Sequence, residues 1–372
     1  MKFYYILFGI FLINIVHAED SIPAKKTWVF MVGILEWKED KVYAVMDNTN
    51  RKDDVLYQTF INRGVPASQI TYIKDKKATL VTINKEFNKL LSKTKKGDFL
   101  IVYFDGHGAR NKKTGEAFWV NYDGPAKSWN NLWSVKSIIQ KIESDFAGSH
   151  VLLTADCCHS GSYIDELKKL KKPKKAYAAI SSVHSTKLST GKWTFTESLI
   201  SALQGTSYLD KNNDKQISME EFFQYSKKEM ALFARQQPVI YRSPKFPKKF
   251  QMAISQKKND PVVGKYFNIK RKNNWIKAKA VKRSGQKITF SYYHKDRIQY
   301  ITLAKDSDDI KGLNKKQFSK SEKVEAVENG KWYAATILKK DPTSNLYFIH
   351  YDNYSKKYDC WLHYSDLRKK QK

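Results

Sequence analysis

The 372-residue sequence predicts an α/β domain, a three-layer α/β/α sandwich on a mostly parallel sheet, followed by two small all-β barrels. Two observations carry that expectation. From Trp28 to about Ile254, short apolar runs alternate with amphipathic stretches, the pattern of buried parallel strands joined by crossover helices. After Pro261 the helical period disappears, and aromatic-rich segments separated by turn residues take over.

Taken in order, WVFMVGIL, QITYIKD, DFLIVYFD, HVLLTAD and AYAAISS read as strands. Helical periodicity covers Asp53 to Arg63, closed by Gly64, then Leu80 to Leu91, Leu132 to Phe146 and Phe195 to Leu203. The C-terminal region repeats itself. WIKAKAVK from Trp275 corresponds to WYAATILK from Trp332, an offset of 57 residues, and DDIK parallels SDLR. The boundaries that follow are 19–258 for the α/β domain, 259–312 for the first barrel and 319–370 for the second.

The first eighteen residues have a lysine, an apolar stretch and small residues at Val16 and Ala18, the form of a secretory signal cut near Ala18. Export to a periplasm or out of the cell is the expectation. An uncleaved anchor helix is the alternative, although the run is short for a membrane span. Three cysteines, at 157, 158 and 360, make no disulfide framework, so the adjacent pair calls for a chemical explanation. The net charge of +30 comes mainly from lysines scattered through every segment, which argues for a compositional bias and against nucleic-acid binding.

In open α/β sheets, functional groups collect at the carboxyl ends of strands. FLIVYFD is followed there by GHG and VLLTAD by CCHSG, which puts His107 and Cys158, 51 residues apart, past two strands that one crossover helix makes neighbours. An imidazole facing a thiol can take its proton and make a nucleophile. Gly108 and Cys158 could turn their backbone amides toward the oxygen of a tetrahedral intermediate.

YFDGHG with DCCHSG resembles the caspase-like cysteine peptidases, and most of all the metacaspase and bacterial caspase-like branch. The likeness extends through AFWVNYDGP, AAISS, GKWTFTESLISAL and QQPVI. It implies a cysteine-type endopeptidase with Cys158 as nucleophile and His107 as base, needing no cofactor for the chemistry. Cys157 then fills a place where the family often has a small residue. Caspases carry glutamine where this chain has Asp156, and a carboxylate there implies a pocket that prefers Lys or Arg before the scissile bond; a strand-end cap is the other reading. By resemblance alone, Asp53 or Asp54, Asp123 and Ser181 join that pocket. Between Cys158 and the next strand, the dense lysines of Lys168 to Lys175 fall where the family is processed, which makes this stretch a candidate self-cleavage loop, with an ordinary solvated loop as the alternative.

LDKNNDKQISMEEF places Asp210, Asn212, Asp214, Gln216, Ser218 and Glu221 at positions 1, 3, 5, 7, 9 and 12 of a calcium loop. Lys215 stands where glycine is wanted, so calcium is balanced against a polar loop that caps the following helix. The second repeat is similar to Tudor-like and chromo-barrel domains, which bind peptides, some through an aromatic cage. Trp332, Tyr351, Tyr354 and Trp361 are its cage candidates, with a purely structural role as the competing reading. The sequence thus points to an exported peptidase acting on protein or peptide substrates, or else to an inert caspase-like scaffold that binds through its barrels.

Overall fold

The computed structural model describes residues 21–256, 260–294, 297–313, 317–328, 331–341 and 346–370. The expected signal sequence lies outside the described residues. Among them, no helix is long and apolar enough to cross a membrane.

The first domain is a six-stranded sheet built from β1 (Thr27–Gly33), β2 (Ile70–Lys74), β3 (Phe99–Asp105), β7 (His150–Asp156), β8 (Ala176–Ser181) and β10 (Val239–Arg242), in the order β10-β8-β7-β3-β1-β2. The pairings among the first five are parallel, and β10 closes one edge antiparallel. All seven residues of β3 are buried, which is why FLIVYFD reads as an unbroken apolar run. Helices α1 (Lys52–Asn62), α2 (Leu80–Leu91), α3 (Val135–Asp145), α4 (Ser162–Lys169), α5 (Thr194–Leu203) and α6 (Met219–Phe233) connect and cover the strands. Two apolar cores result. One contains Phe30, Phe104, Trp119 and Tyr163, the other Val29, Tyr103, Phe195 and Phe222, so alternate residues of β1 and β3 feed opposite faces. Three short strands, β4 (Gly108–Arg110), β5 (Ala117–Trp119) and β6 (Trp133–Ser134), form a small sheet past β3. A two-stranded ribbon pairs β9 (Gln216–Ser218) with β11 (Gln251–Ile254).

The segment between α4 and β8 is a short connection. Its Lys174 amide donates to Glu143, and Lys245 bonds the Pro173 carbonyl. In this candidate self-cleavage loop, Lys168 and Lys169 close α4, and the connection that follows is held at Pro173 and Lys174.

Both C-terminal units are five-stranded antiparallel sheets. The first uses β12 (Tyr266–Arg271), β13 (Asn274–Ser284), β14 (Lys287–His294), β15 (Arg297–Ala304) and β16 (Ile310–Gly312); the second uses β17 (Lys323–Glu328), β18 (Lys331–Lys340), β19 (Leu346–Tyr351), β20 (Cys360–His363) and β21 (Leu367–Lys369). Their strand orders, β15-β14-β13-β12-β16 and β20-β19-β18-β17-β21, are the same. The repeat holds in detail. The bulge between Ala280 and Lys282 returns between Ile337 and Lys339, at the sequence offset of 57. Gly264 at φ +85 donates to Ala280, and Ser321 at φ +68 donates to Ile337 in the same way. Serine suffices in the second copy. In the first, any Cβ would meet the Tyr208 ring at 2.5 Å, so glycine is required where this barrel docks.

Helix α6 is the spine for both barrels. Lys279 of β13 reaches Glu229 at 2.9 Å and the Tyr225 hydroxyl at 2.6 Å, and the Tyr266 hydroxyl also donates to Glu229. Lys227 pairs with Asp341 at 2.8 Å and lies over the Trp361 ring at 4.0 Å. Lys277 joins the barrels through Asp366 at 2.7 Å.

Candidate active site

Strands β3 and β7 are neighbours in register, with Asp105 beside Asp156. His107 and Cys158 each follow by two residues, so they leave the sheet at the same level. The approach is tight. A Cβ on Gly108 would lie 1.8 Å from the Cys158 carbonyl oxygen and 3.2 Å from Cys157 Sγ, so the second glycine of GHG is a steric requirement. Cys157 is buried in the core, whereas Cys158 is half-buried.

The Cys158 sulfur accepts from the Ser189 amide at 3.2 Å. Burial raises the thiol above its ordinary pKa, with the Ser189 and Cys158 amides working in the opposite direction. His159, at φ +60, closes the turn by donating from its amide to Lys187 at 2.9 Å, with its Nδ1 2.8 Å from the Ser185 carbonyl. His107 lies on the Trp37 ring at 4.3 Å, with Tyr43 at 5.8 Å, and its Nε2 donates to the Ala44 carbonyl at 3.1 Å. Burial lowers its pKa, and the Ala44 bond opposes that. The resting pair is therefore neutral thiol and neutral imidazole, each held by a backbone group of its own. Segment 36–50, which brings Trp37, Tyr43 and Ala44 over the histidine, is itself tied to the first barrel by Asp47 and Arg297 at 2.6 Å.

Carboxylates gather beneath this level. Asp105 and Asp156 are adjacent on neighbouring strands, and Asp53, fully buried at the start of α1, interacts electrostatically with Asp105. Arg51 is the cation found with them: it grips Asp53 with two nitrogens at 3.1 and 2.6 Å, reaches Asp75 at 2.5 Å, and donates to the Gly33 carbonyl at 3.0 Å. One oxygen of Asp105 is buried without a partner. Burial, reinforced by Asp156 and Asp53, holds Asp105 well above the usual carboxylate range. Burial likewise raises Asp156 to about 6, against hydrogen bonds from Thr196 and Ser182. The Thr196 amide and hydroxyl reach Asp156 at 3.2 and 2.8 Å, so this carboxylate also caps the first turn of α5.

The remaining pocket candidates separate. Ser181 is next to Ala155 across the β7–β8 pairing, with a buried, unpartnered hydroxyl. Asp123 is not with them: it is exposed and accepts from the Leu80 amide at 2.9 Å, capping α2, because Asn121 and the turn after β5 point it there. Asp54 faces Tyr72 and Lys74. Sequence reasoning missed Asp105 and Arg51, although both sit within motifs already in view: the D of YFDGHG, and a lone arginine two residues before Asp53.

In the acidic loop, Lys215 adopts φ +66, supplying the turn that glycine would make, and Asp210 has a buried oxygen without a partner. Both features suit a cation. Glu221, however, accepts from the Lys211 amide with one oxygen and from Ser218 with the other, forming a capping box at the start of α6. Asp214 and Asn212 bond amides within the loop, and Gln216 and Ser218 belong to β9. Among the described residues, no three acidic, cysteine or histidine side chains converge as a metal site.

The aromatic residues of the second barrel sort by strand alternation. Tyr333, Tyr351, Tyr354 and Tyr358 make a chain of edge-on contacts at 6.1 to 6.3 Å. Trp332, next to Tyr333 on β18, takes Arg368 over its ring at 4.2 Å, while Trp361 packs tilted against Phe348 at 5.4 Å and under Lys227. The two tryptophans therefore stand outside the tyrosine cluster, and Tyr333 and Tyr358 complete it.

A family model described as a caspase domain matches residues 44–251, and one described as the RNA binding activity-knot of a chromodomain, a Tudor-knot, matches 318–369. No curated protein matches the chain. Similar solved structures include protein GSU0716 from Geobacter sulfurreducens, 18% identical, covering 62% of this chain and 100% of that one, with a TM-score of 0.44. Caspase-1 from Spodoptera frugiperda is 13% identical over 65% of this chain and 95% of its own, with a TM-score of 0.41. A structure of Tbtudor is 30% identical over 15% of this chain and 98% of its own, with a TM-score of 0.14.

Proposed function

The chain belongs to the caspase-domain family of cysteine peptidases, and from that premise we propose that it is an exported endopeptidase that cleaves protein substrates after Lys or Arg. The observation that carries this reading is the placement of His107 and Cys158 at one level past paired strands, directly above buried acidic residues. The Ala44 carbonyl holds the proton on His107 Nε2, which leaves the lone pair on Nδ1. The imidazole then takes the Cys158 proton, and the thiolate adds to the scissile carbonyl. The Gly108 and Cys158 amides stabilise the resulting oxyanion, His107 returns the proton to the leaving amine, and water releases the acyl group from sulfur.

The substrate's cationic side chain enters the acidic site beside Asp156. Asparagine at 156 keeps an oxygen to accept from Thr196 and so preserves the α5 cap, while removing the charge. Asp156→Asn is expected to lower kcat/KM for Lys and Arg peptides about tenfold or more, since a charge-assisted contact is worth roughly 1.5–3 kcal/mol. The wild-type preference for basic over neutral residues should also fade as pH drops through about 6, where Asp156 takes up its proton. A variant with undiminished basic preference removes Asp156 from the pocket.

Calcium is proposed for the acidic loop, where Asp210, Asn212, Asp214 and Glu221 would hold it and steady α6; the peptidase chemistry does not use it. Glutamine preserves a capping box, so Glu221→Gln tests the ion separately from the fold. Millimolar calcium should raise the melting temperature of the wild type and leave that of Glu221→Gln unchanged. Identical wild-type melting curves in calcium and in chelator assign the loop to capping alone.

A further inference from the structure

A cavity of about 800 Å³ opens at the seam between the peptidase domain and the second barrel. Lys187 and Leu188 line one side, and Tyr333, Tyr351, Tyr354 and Tyr358 the other. We propose that this seam is an extended subsite, in which a polypeptide bound at Cys158 continues along residues 187–189 and buries an apolar or aromatic side chain among the barrel's tyrosines. The inference rests on the peptidase reading and gives the second barrel a part in substrate selection.

Continuity with the nucleophile is the first argument. Ser189, next in sequence to the lining residue Leu188, donates its amide to Cys158 Sγ, and the Lys187 carbonyl accepts from the His159 amide. The wall of the cavity is thus the same segment that fixes the catalytic turn. An extended chain advances about 3.3 Å per residue, so a few residues beyond the scissile bond bring a peptide into the seam.

The lining chemistry is the second argument. Several charged groups around the cavity are already engaged within the protein: Glu328 with the Tyr351 hydroxyl, Asp359 with His350 at 2.7 Å, and Arg235 with Asp366 at 3.6 Å. Aromatic surface stands open there beside the exposed His184, Thr186 and Lys356. Tyr354 and Tyr358 are 49% and 50% exposed on a lysine-rich protein, and Leu188 opposite them is 68% exposed. Rigid aromatic rings offered in a cleft are the usual anchors of peptide recognition.

The test compares unfolded casein as a long substrate with a fluorogenic acetyl-lysine amide as a short one, using wild type and the Tyr354→Ala/Tyr358→Ala variant. Casein binding to the Cys158→Ala background, followed by fluorescence anisotropy, supplies a readout independent of turnover. The proposal expects the tyrosine substitutions to raise the casein KM about tenfold more than the short-substrate KM, and to weaken casein binding in parallel. Equal changes for both substrates, or casein binding that does not respond, overturn it. Loss of binding to a single-stranded RNA with casein kinetics intact also overturns it, and assigns the tyrosines to nucleic acid. Cleavage of the short substrate shows separately that the peptidase reading stands; if wild type cleaves neither substrate, both readings fall together.

Discussion

Cys158→Ala and His107→Ala are each expected to lower kcat/KM by at least about a thousandfold, and the double variant to lose little more, because nucleophile and base act as one unit. The structure makes the comparison with Cys157 informative. Cys157 is 1% exposed, and burial, with Cys158 and the nearby acids adding to it, raises its thiol well above the ordinary value. It packs with the residues of one apolar core while Cys158 stands at the turn. Cys157→Ala should therefore keep most of the activity and lose only packing. Turnover by Cys158→Ala with an inactive Cys157→Ala would reverse the roles of the two residues.

Lys279→Ala is expected to cost about 3–5 kcal/mol, the largest stability effect of any single change considered, because it strands a carboxylate. Lys279 and Glu229 are 7% and 5% exposed. Burial alone would lower the lysine pKa, but the Glu229 carboxylate and neighbouring tyrosines hold it well above its ordinary value, so the ammonium form persists. With alanine, Glu229 keeps the Tyr266 hydroxyl but loses the ammonium that pairs with it at 2.9 Å. At this size the loss corresponds to a fall of roughly 10 °C in Tm. Adding Glu229→Gln should recover much of it, since the stranded charge is removed along with its partner. A Lys279→Ala protein within about 1 kcal/mol of wild type would mean that the first barrel is not fixed to α6 through this pair.

The sheet was legible in the sequence because strands buried on both faces leave continuous apolar runs, as in FLIVYFD and HVLLTAD. The edge strand β10 left no such run: VIYR is short and only partly buried. Helix α3 begins at Val135, three residues after the apolar pattern does, because Trp133 and Ser134 are taken by β6 and Ser134 then caps the helix. Docking by α6 was hidden for a different reason. Lys227 and Glu229 look like ordinary solvated helix charges until Asp341 and Lys279, more than a hundred and exactly fifty positions away, meet them.

The juxtaposition of His107 and Cys158 was readable because GHG and DCCHSG mark two strand ends, but their surroundings were not. Nothing in the sequence alone places the Ala44 carbonyl on His107 or Arg51 among the aspartates. Ala44 and His107 are 63 residues apart, and Arg51, although a near neighbour of Asp53 in sequence, meets Asp75 and Gly33 only through the fold. The cage candidates failed in part for a local reason: on a strand, neighbours such as Trp332 and Tyr333 face opposite sides, and the sequence does not say which side opens on the cavity.

Whether Cys158 is the nucleophile of a lysine-directed site is read by mass spectrometry of the purified protein after treatment with a lysyl acyloxymethyl ketone. One adduct is expected, on Cys158, absent from Cys158→Ala and strongly reduced in His107→Ala, with Cys360, whose thiol burial pushes up to about 12, unlabelled. A protein that forms no adduct, or forms it on Cys157 or Cys360, does not use Cys158 as its nucleophile.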